Sequence, residues 1–338
     1  MKMKKVPLVD ELFQGAVSLE KTEEGVKPWR IPYADYELFP PNGIGGKAEQ
    51  AAGVRLCFAS DTAEVELHLL PSDANRQFDC VVDGQLMGTE TLAAGEKTVV
   101  FRGLPPEDKT IELYLSQSHA VTVTGLYIGE GATFEIPPVD RPRWITYGSS
   151  ITQCAAAASP AQTWPALVAR GQRLHLTCLG YSGNCSIEPM VARMIRDLPA
   201  DFISLCLGIN IYGQNSYNMR TFRPAVIGFI EIVREKHGDI PLVVMSPIYC
   251  QPREVTENKV GLTLVQIREE IAAAVQSLQN RGDRNLHYIS GLDIFGPEYA
   301  HHLPDQLHPD ADGYRIMAEN FQKRVMPIVQ IQNRAGAR

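Results

Sequence analysis

The chain has 338 residues, enough for one large domain or two ordinary ones, and its 44% hydrophobic and 21% charged content is that of a globular protein. The formal net charge is -7 and there is no long basic run, which disfavours nucleic-acid binding. The opening segment MKMKKVPLVDELFQ lacks the apolar core of a signal peptide, and no apolar run is long enough to span a bilayer.

Seven cysteines are an odd number, and none forms a C-x-x-C pair. Without a secretory signal they read as reduced thiols, and the expected location is cytoplasmic. Five short runs then alternate with period two: TAEVELHLL, QFDCVVDGQLMG, KTVVFRGL, KTIELYLSQ and AVTVTGLYIG. In the fourth, Ile111, Leu113 and Leu115 are expected on one face, and Glu112 and Tyr114 on the other. Asp83-Gly84, Gly95 and Pro105-Pro106 supply the turns. This spacing predicts an antiparallel β-sandwich, jelly-roll-like, over residues 1–138. Gly43 to Lys47 resembles a phosphate loop without its spacing and reads as an ordinary loop.

The rhythm changes at Pro137, Pro138 and Pro142, a stiff connector. Beyond it the strand candidates RWITYG, LHLTCLG, DFISLCLG, PLVVMS and NLHYIS alternate with helical patterns. The helices are expected at Thr163–Gln172, Ile187–Leu198, Thr221–Lys236, Leu262–Asn280 and about Ala311–Val329. Such alternation predicts a doubly wound parallel sheet, an α/β domain over residues 139–332. The tail QNRAGAR is expected to fray.

Ligands of open α/β sheets bind beyond the carboxyl ends of the strands. Those ends carry Gly148-Ser149-Ser150, then GYSGN, GINIYG and SPIYC, and finally the region of LPDQLHPDADGY. Serine, glycine, asparagine and Asp-x-x-His are the ingredients of acyl transfer through a serine ester. Asp305 and His308 are close enough to share a turn. Pro309 can open the next helix, with Asp310 and Asp312 near its positive end. By itself this segment reads equally well as a solvated helix start.

Together the segments resemble the SGNH hydrolase superfamily, the GDSL-type esterases and lipases. YGSSIT resembles the first motif of that family, LGYSGN the second, LGIN the third and DQLHP the last, in family order from Trp144 to Phe321. The resemblance implies Ser150 as nucleophile, His308 as general base and then acid, and Asp305 as the residue that orients His308. It implies an oxyanion hole made by the backbone N–H of Ser150, the backbone N–H of Gly183 and the side-chain amide of Asn210. Two positions depart from the pattern. Ser149 replaces the usual aspartate and raises the rival that Ser149 attacks. Ile211 replaces the aspartate that often follows Asn210 and is expected to make the adjoining pocket more apolar.

Other candidates have plainer readings. His301 and His302 lack further spaced metal ligands and read as loop histidines. Cys154, Cys185 and Cys206 read as small apolar packing. Tyr147, Trp164, Tyr181, Tyr212 and Tyr249 are divided between pocket lining and core. No cofactor and no metal are expected.

A β-sandwich fused to an SGNH domain resembles certain carbohydrate esterases. The leading expectation is therefore a serine esterase acting on small acyl esters, acetyl above all, on a small molecule or a saccharide. An acyltransferase using the same serine is the first alternative. A carbohydrate-binding protein on an inactive hydrolase scaffold is the second. No membrane span is expected, and a homo-oligomer is compatible with the sequence.

Overall fold

The computed structural model describes residues 2–329. The expected fraying at QNRAGAR lies outside the described residues. The chain forms two compact units. One runs to Asp140 and takes in Ala158–Gln162; the other comprises Arg141–Ala157 and the chain from Thr163 onward. The linear pattern does not announce the return at Ala158–Gln162. It is held within the first unit by Asp79, whose Oδ2 accepts hydrogen bonds from Ser159 Oγ and Ala161 N, both at 2.6 Å.

The first unit is an antiparallel β-sandwich. Its strands are β1 (Met3–Val6), β2 (Phe13–Gln14), β3 (Ser18–Lys21), β4 (Val26–Trp29), β5 (Arg55–Ser60) and β6 (Glu64–Leu69). They continue as β7 (Arg76–Val82), β8 (Gln85–Leu92), β9 (Thr98–Arg102), β10 (Lys109–Tyr114) and β11 (Val123–Gly129). One sheet has the order β3-β4-β11-β6-β9, with β1 also on β11; the other has the order β2-β5-β10-β7-β8. Their inner faces share a core that includes Phe58, Phe78, Phe101, Leu113 and Leu126. The Asp83-Gly84 signal becomes a two-residue hairpin between β7 and β8, with both residues at positive φ.

Burial in this unit does not follow the period-two pattern everywhere. The face of β10 that carries Glu112 and Tyr114 is as buried as the Ile111 face. There Arg55 Nε donates to Glu112 at 2.9 Å and the guanidinium lies over Tyr114, so alternation in sequence does not mean alternation in exposure. Strands β1 to β5 escape a period-two search because β1 to β4 are very short, and because β5 is buried along nearly its whole length.

The second unit is a doubly wound α/β fold. Five parallel strands, β12 (Arg143–Gly148), β13 (His175–Gly180), β14 (Phe202–Cys206), β15 (Leu242–Met245) and β16 (Leu286–Ile289), pair in the order β13-β12-β14-β15-β16. The larger helices Trp164–Gly171, Pro189–Asp197, Phe222–Arg234, Leu264–Asn280 and Ala311–Arg324 fall where their amphipathic patterns predict, except that the last ends at Arg324, short of the expected Val329. Thr263 and Gln266 close a reciprocal capping box on the fourth. Asp310, rather than Pro309, caps the fifth, accepting from Gly313 N at 2.8 Å.

Because β12 has β13 on one side and β14 on the other, the chain reverses winding direction beside β12. That is the topological switch point, where open α/β sheets form a crevice at the carboxyl edge.

Candidate active site

The carboxyl end of β12 shows why its sequence stops being apolar at glycine. A Cβ on Gly148 would lie 2.1 Å from the Thr152 hydroxyl, and one on Gly180 would lie 2.4 Å from the backbone N of Gln153. Glycine at both strand ends lets the short helix Ser150–Gln153 press down on β12 and β13. Ser149 caps that helix: its Oγ accepts from Ile151 N at 3.2 Å, and the residue is 2% exposed. Its hydroxyl serves the turn, whereas that of Ser150 points elsewhere.

Ser150 Oγ lies 2.8 Å from Nε2 of His308, a residue 158 positions later. His308 Nδ1 lies 2.6 Å from Oδ2 of Asp305. An ionised carboxylate only accepts, so the proton of a neutral imidazole sits on Nδ1. Nε2 then carries the lone pair, and the Ser150 hydroxyl donates to it. Asp305 also shapes the backbone: its Oδ1 accepts from Leu307 N at 3.0 Å and from His308 N at 2.7 Å. Burial pushes the Asp305 carboxyl up, but its bonds from the His308 ring, His308 N and Leu307 N outweigh this and hold it down at about 2.

The turn is braced from outside. Gln306 sits at φ 61, and its carbonyl accepts the Cys250 thiol at 3.1 Å. Asp310 N donates to the His302 carbonyl, and His302 Nδ1 faces the Asp310 carboxylate at 3.1 Å. His302 thus ties the two ends of the His308 loop together. His301 is exposed. Among the described residues no group of three His, Cys, Asp or Glu side chains is arranged to hold a metal ion.

Gly183 follows β13 and Asn210 follows β14, so with Ser150 they stand at the ends of three adjacent strands. Cys185 N donates to Asn210 Oδ1 at 2.9 Å. A backbone N–H only donates, which fixes the amide and turns its Nδ2 donor the other way. Neither the Ser150 N–H nor the Gly183 N–H pairs with another described group. Three donors are thereby left at one sheet edge, the composition that a tetrahedral oxyanion requires.

The remaining candidates settle into the core or the periphery. Tyr147, Trp164 and Tyr181 are fully buried. Ile211 is also fully buried, so it packs inside the domain and does not coat a pocket wall. Burial pushes the thiols of Cys154 and Cys185 well up, and that of Cys206 up to about 12. Such thiols stay protonated and are poor nucleophiles. Gln153 and Gln214, which belong to no motif in the sequence, both grip the loop around Gly183; the one linear hint is that Gln214 stands a helical turn beyond Asn210.

A parallel sheet with Ser, His and Asp joined at its carboxyl edge, and with a glycine and an asparagine on the flanking strand ends, is the SGNH type of α/β fold. The chain belongs to the GDSL-like lipase/acylhydrolase family, whose model matches residues 142–326. The model of the SsfX3 N-terminal domain matches residues 12–123. Among solved structures, the salicylyl-acyltransferase SsfX3 from a tetracycline biosynthetic pathway is similar at 31% identity and TM-score 0.91, over 98% of this chain and 99% of that one. A candidate GDSL-like lipase from Bacteroides ovatus aligns at 22% identity and TM-score 0.81, with coverage of 98% and 99%. A family two carbohydrate esterase from Cellvibrio japonicus shares the fold at 14% identity and TM-score 0.66, with coverage of 97% and 98%. No curated protein sequence matches the chain significantly.

Proposed function

We propose that this chain cleaves acyl esters through an acyl-enzyme on Ser150, with water as the ordinary acceptor. The observation that carries the reading is the unbroken contact chain Ser150–His308–Asp305. In this mechanism His308 Nε2 takes the proton as Ser150 Oγ attacks the ester carbonyl. The carbonyl oxygen becomes an oxyanion facing Ser150 N–H, Gly183 N–H and Asn210 Nδ2. Collapse expels the alcohol, which leaves with the proton from His308. Water, deprotonated by the same nitrogen, then attacks the acyl-serine and returns the enzyme. Asp305 holds the tautomer and offsets the charge of the imidazolium.

The His308 side chain is 33% exposed, so water can reach the base, as the hydrolytic step requires. A second reading, transfer of the acyl group to an alcohol, draws support from the likeness to SsfX3 along nearly the whole chain. The saccharide substrate considered from sequence has fold-level support only, through the carbohydrate esterases. An inactive binding scaffold would predict a broken triad, and the contacts argue against it.

The test is a panel of p-nitrophenyl esters, aryl esters and acetylated sugars, run beside Ser150→Ala. Release of free acid from the parent and none from the variant supports hydrolysis. Adding alcohol acceptors separates the alternatives: a product dominated by new ester moves the assignment to transfer. Absence of either product across the panel defeats both.

A further inference from the structure

The loop that carries Gly183 is a turn closed by Asn184 N–H on the Tyr181 carbonyl at 2.9 Å, and no side chain packs on the glycine itself. Gly183 is exposed, sits at φ 72, and a Cβ there would touch nothing within 4 Å. Packing therefore does not fix the direction of its N–H. Side-chain amides stand in for packing, that of Asn184 from within the turn and two from outside it. On one side Gln153 Oε1 accepts from Ser182 N at 2.8 Å. Gln153 is 1% exposed and lies in the same short helix as Ser150. On the other side Gln214 Nε2 donates to the Gly183 carbonyl. The orientation of the Gln214 amide is settled by the Gly183 carbonyl, which can only accept, and Oε1 then accepts from Ser186 Oγ at 2.7 Å and from Ser216 Oγ at 3.3 Å.

The Gly183 N–H belongs to the peptide unit between these two anchors. One anchor grips the peptide before it, the other the peptide after it. The carbonyl of that unit, on Ser182, accepts from Asn184 Nδ2 at 2.7 Å, and the two glutamine bonds fix the flanking peptides between which the unit is set. Gln214 also stands four residues after Asn210 on the helix Ile209–Gln214. Asn210 and Gln214 therefore share a face and reach the same loop, at Cys185 and Gly183 respectively.

We infer that Gln153 and Gln214 are positioning residues that aim the Gly183 N–H at the developing oxyanion. The inference rests on the acyl-enzyme reading and adds to it a part that touches no substrate. It couples the nucleophile helix to the oxyanion loop through Gln153, so the two halves of the site are set by a common element.

The experiment compares Gln153→Met, Gln153→Glu and Gln214→Met with the parent and with Ser150→Ala. Turnover of p-nitrophenyl acetate gives kcat and KM. Inhibition by phenylboronic acid reports binding of a tetrahedral adduct, and thermal unfolding reports folding. Each Met variant should lose about tenfold to a hundredfold in kcat, with KM within about twofold and weaker boronate binding to match. Gln153→Glu keeps an acceptor for Ser182 N–H and should recover most of the loss. The pH profile of the Met variants should not move, because His308 and Asp305 are untouched and no titratable group is added. Should Gln153→Met fail to fold, the exposed Gln214→Met still decides. Unchanged kcat in the folded Met variants, a loss confined to KM, or unchanged boronate affinity overturns the inference. A parent whose turnover survives Ser150→Ala defeats the acyl-enzyme reading instead, so the two failures are distinguishable.

Discussion

Ser149 Oγ accepts the backbone N–H of Ile151, while the neighbouring Ser150 Oγ faces the His308 ring. Adjacent hydroxyls thus have separate duties, and substitution should separate them cleanly. Ser150→Ala should lower kcat/KM by several orders of magnitude with little change in stability, and His308→Ala should do much the same. Ser149→Ala removes a helix cap, at a cost of about 1 kcal/mol in stability, and should leave most of the turnover. Kinetics and chemical denaturation on the three proteins check this. Full activity in Ser150→Ala together with an inactive, folded Ser149→Ala would transfer the nucleophile to Ser149.

Asp305 sets the expected pH behaviour. Held at about 2, its carboxylate stays charged wherever the enzyme is assayed. Asp305 then adds no ionisation to the acid limb of kcat/KM, and log kcat/KM should rise with pH at a slope no steeper than one. A slope approaching two would mean that a second group, Asp305 included, must also lose a proton. The same depression has a stability consequence. The folded value lies below the unfolded value of about 3.9, so the contribution is complete above about pH 4 and is lost as pH falls through about 2. Asp305→Asn retains an oxygen for the N–H groups of Leu307 and His308 but no longer holds the imidazole tautomer. It should cost about a hundredfold or more in kcat with only a small change in Tm. Asp305→Ala should lose in both respects, because the turn loses its acceptor as well.

What could be read from sequence divides along the range of the interactions. The Asp305–His308 contact is local, and the spacing of three residues announces it. The strand ends at Gly148, Gly180 and Gly208 are legible because glycine interrupts apolar runs at fixed places. The parallel order of the sheet follows from the alternation of strands and helices. Gln153 and Gln214 were invisible for the opposite reason: an amide in a polar loop or a short helix looks like solvent-facing surface until folding brings Ser182 and Gly183 against it. The helix Ile209–Gln214 has no side-chain cap at its start, so nothing in the linear pattern marks it as helical. The burial of Glu112 is illegible for a related reason, since its partner Arg55 is supplied by another strand.

The thiols near the site should be chemically quiet. Burial leaves Cys154 and Cys185 well above the ordinary cysteine range and raises Cys206 to about 12, so almost no thiolate is present at neutral pH. Iodoacetamide at pH 7.5 should leave turnover intact over hours, with these three residues unmodified by mass spectrometry. Rapid inactivation that tracks alkylation of Cys185 would show that the Ser182–Cys185 loop opens far enough to expose sulfur, and would undercut the picture of a fixed oxyanion loop.

Asn210 allows the oxyanion donors to be probed with almost no change in shape. In the parent, Oδ1 accepts from Cys185 N and Nδ2 is left to donate. Asn210→Asp keeps the acceptor for Cys185 and replaces the donor with a second acceptor bearing negative charge. Loop geometry should survive, as judged by Tm, while the oxyanion loses one favourable interaction and gains a repulsive one. Loss of a single oxyanion donor costs about 10²–10³ in kcat, and Asn210→Asp should fall at or beyond that range. Asn210→Ala removes the donor without the repulsion, but it also frees Cys185 N–H, so it should show a smaller catalytic defect and a larger loss of stability. The reverse ranking, with Ala the worse catalyst and Asp the less stable protein, would mean that Asn210 matters through its hold on Cys185 and that its amide does not meet the oxyanion.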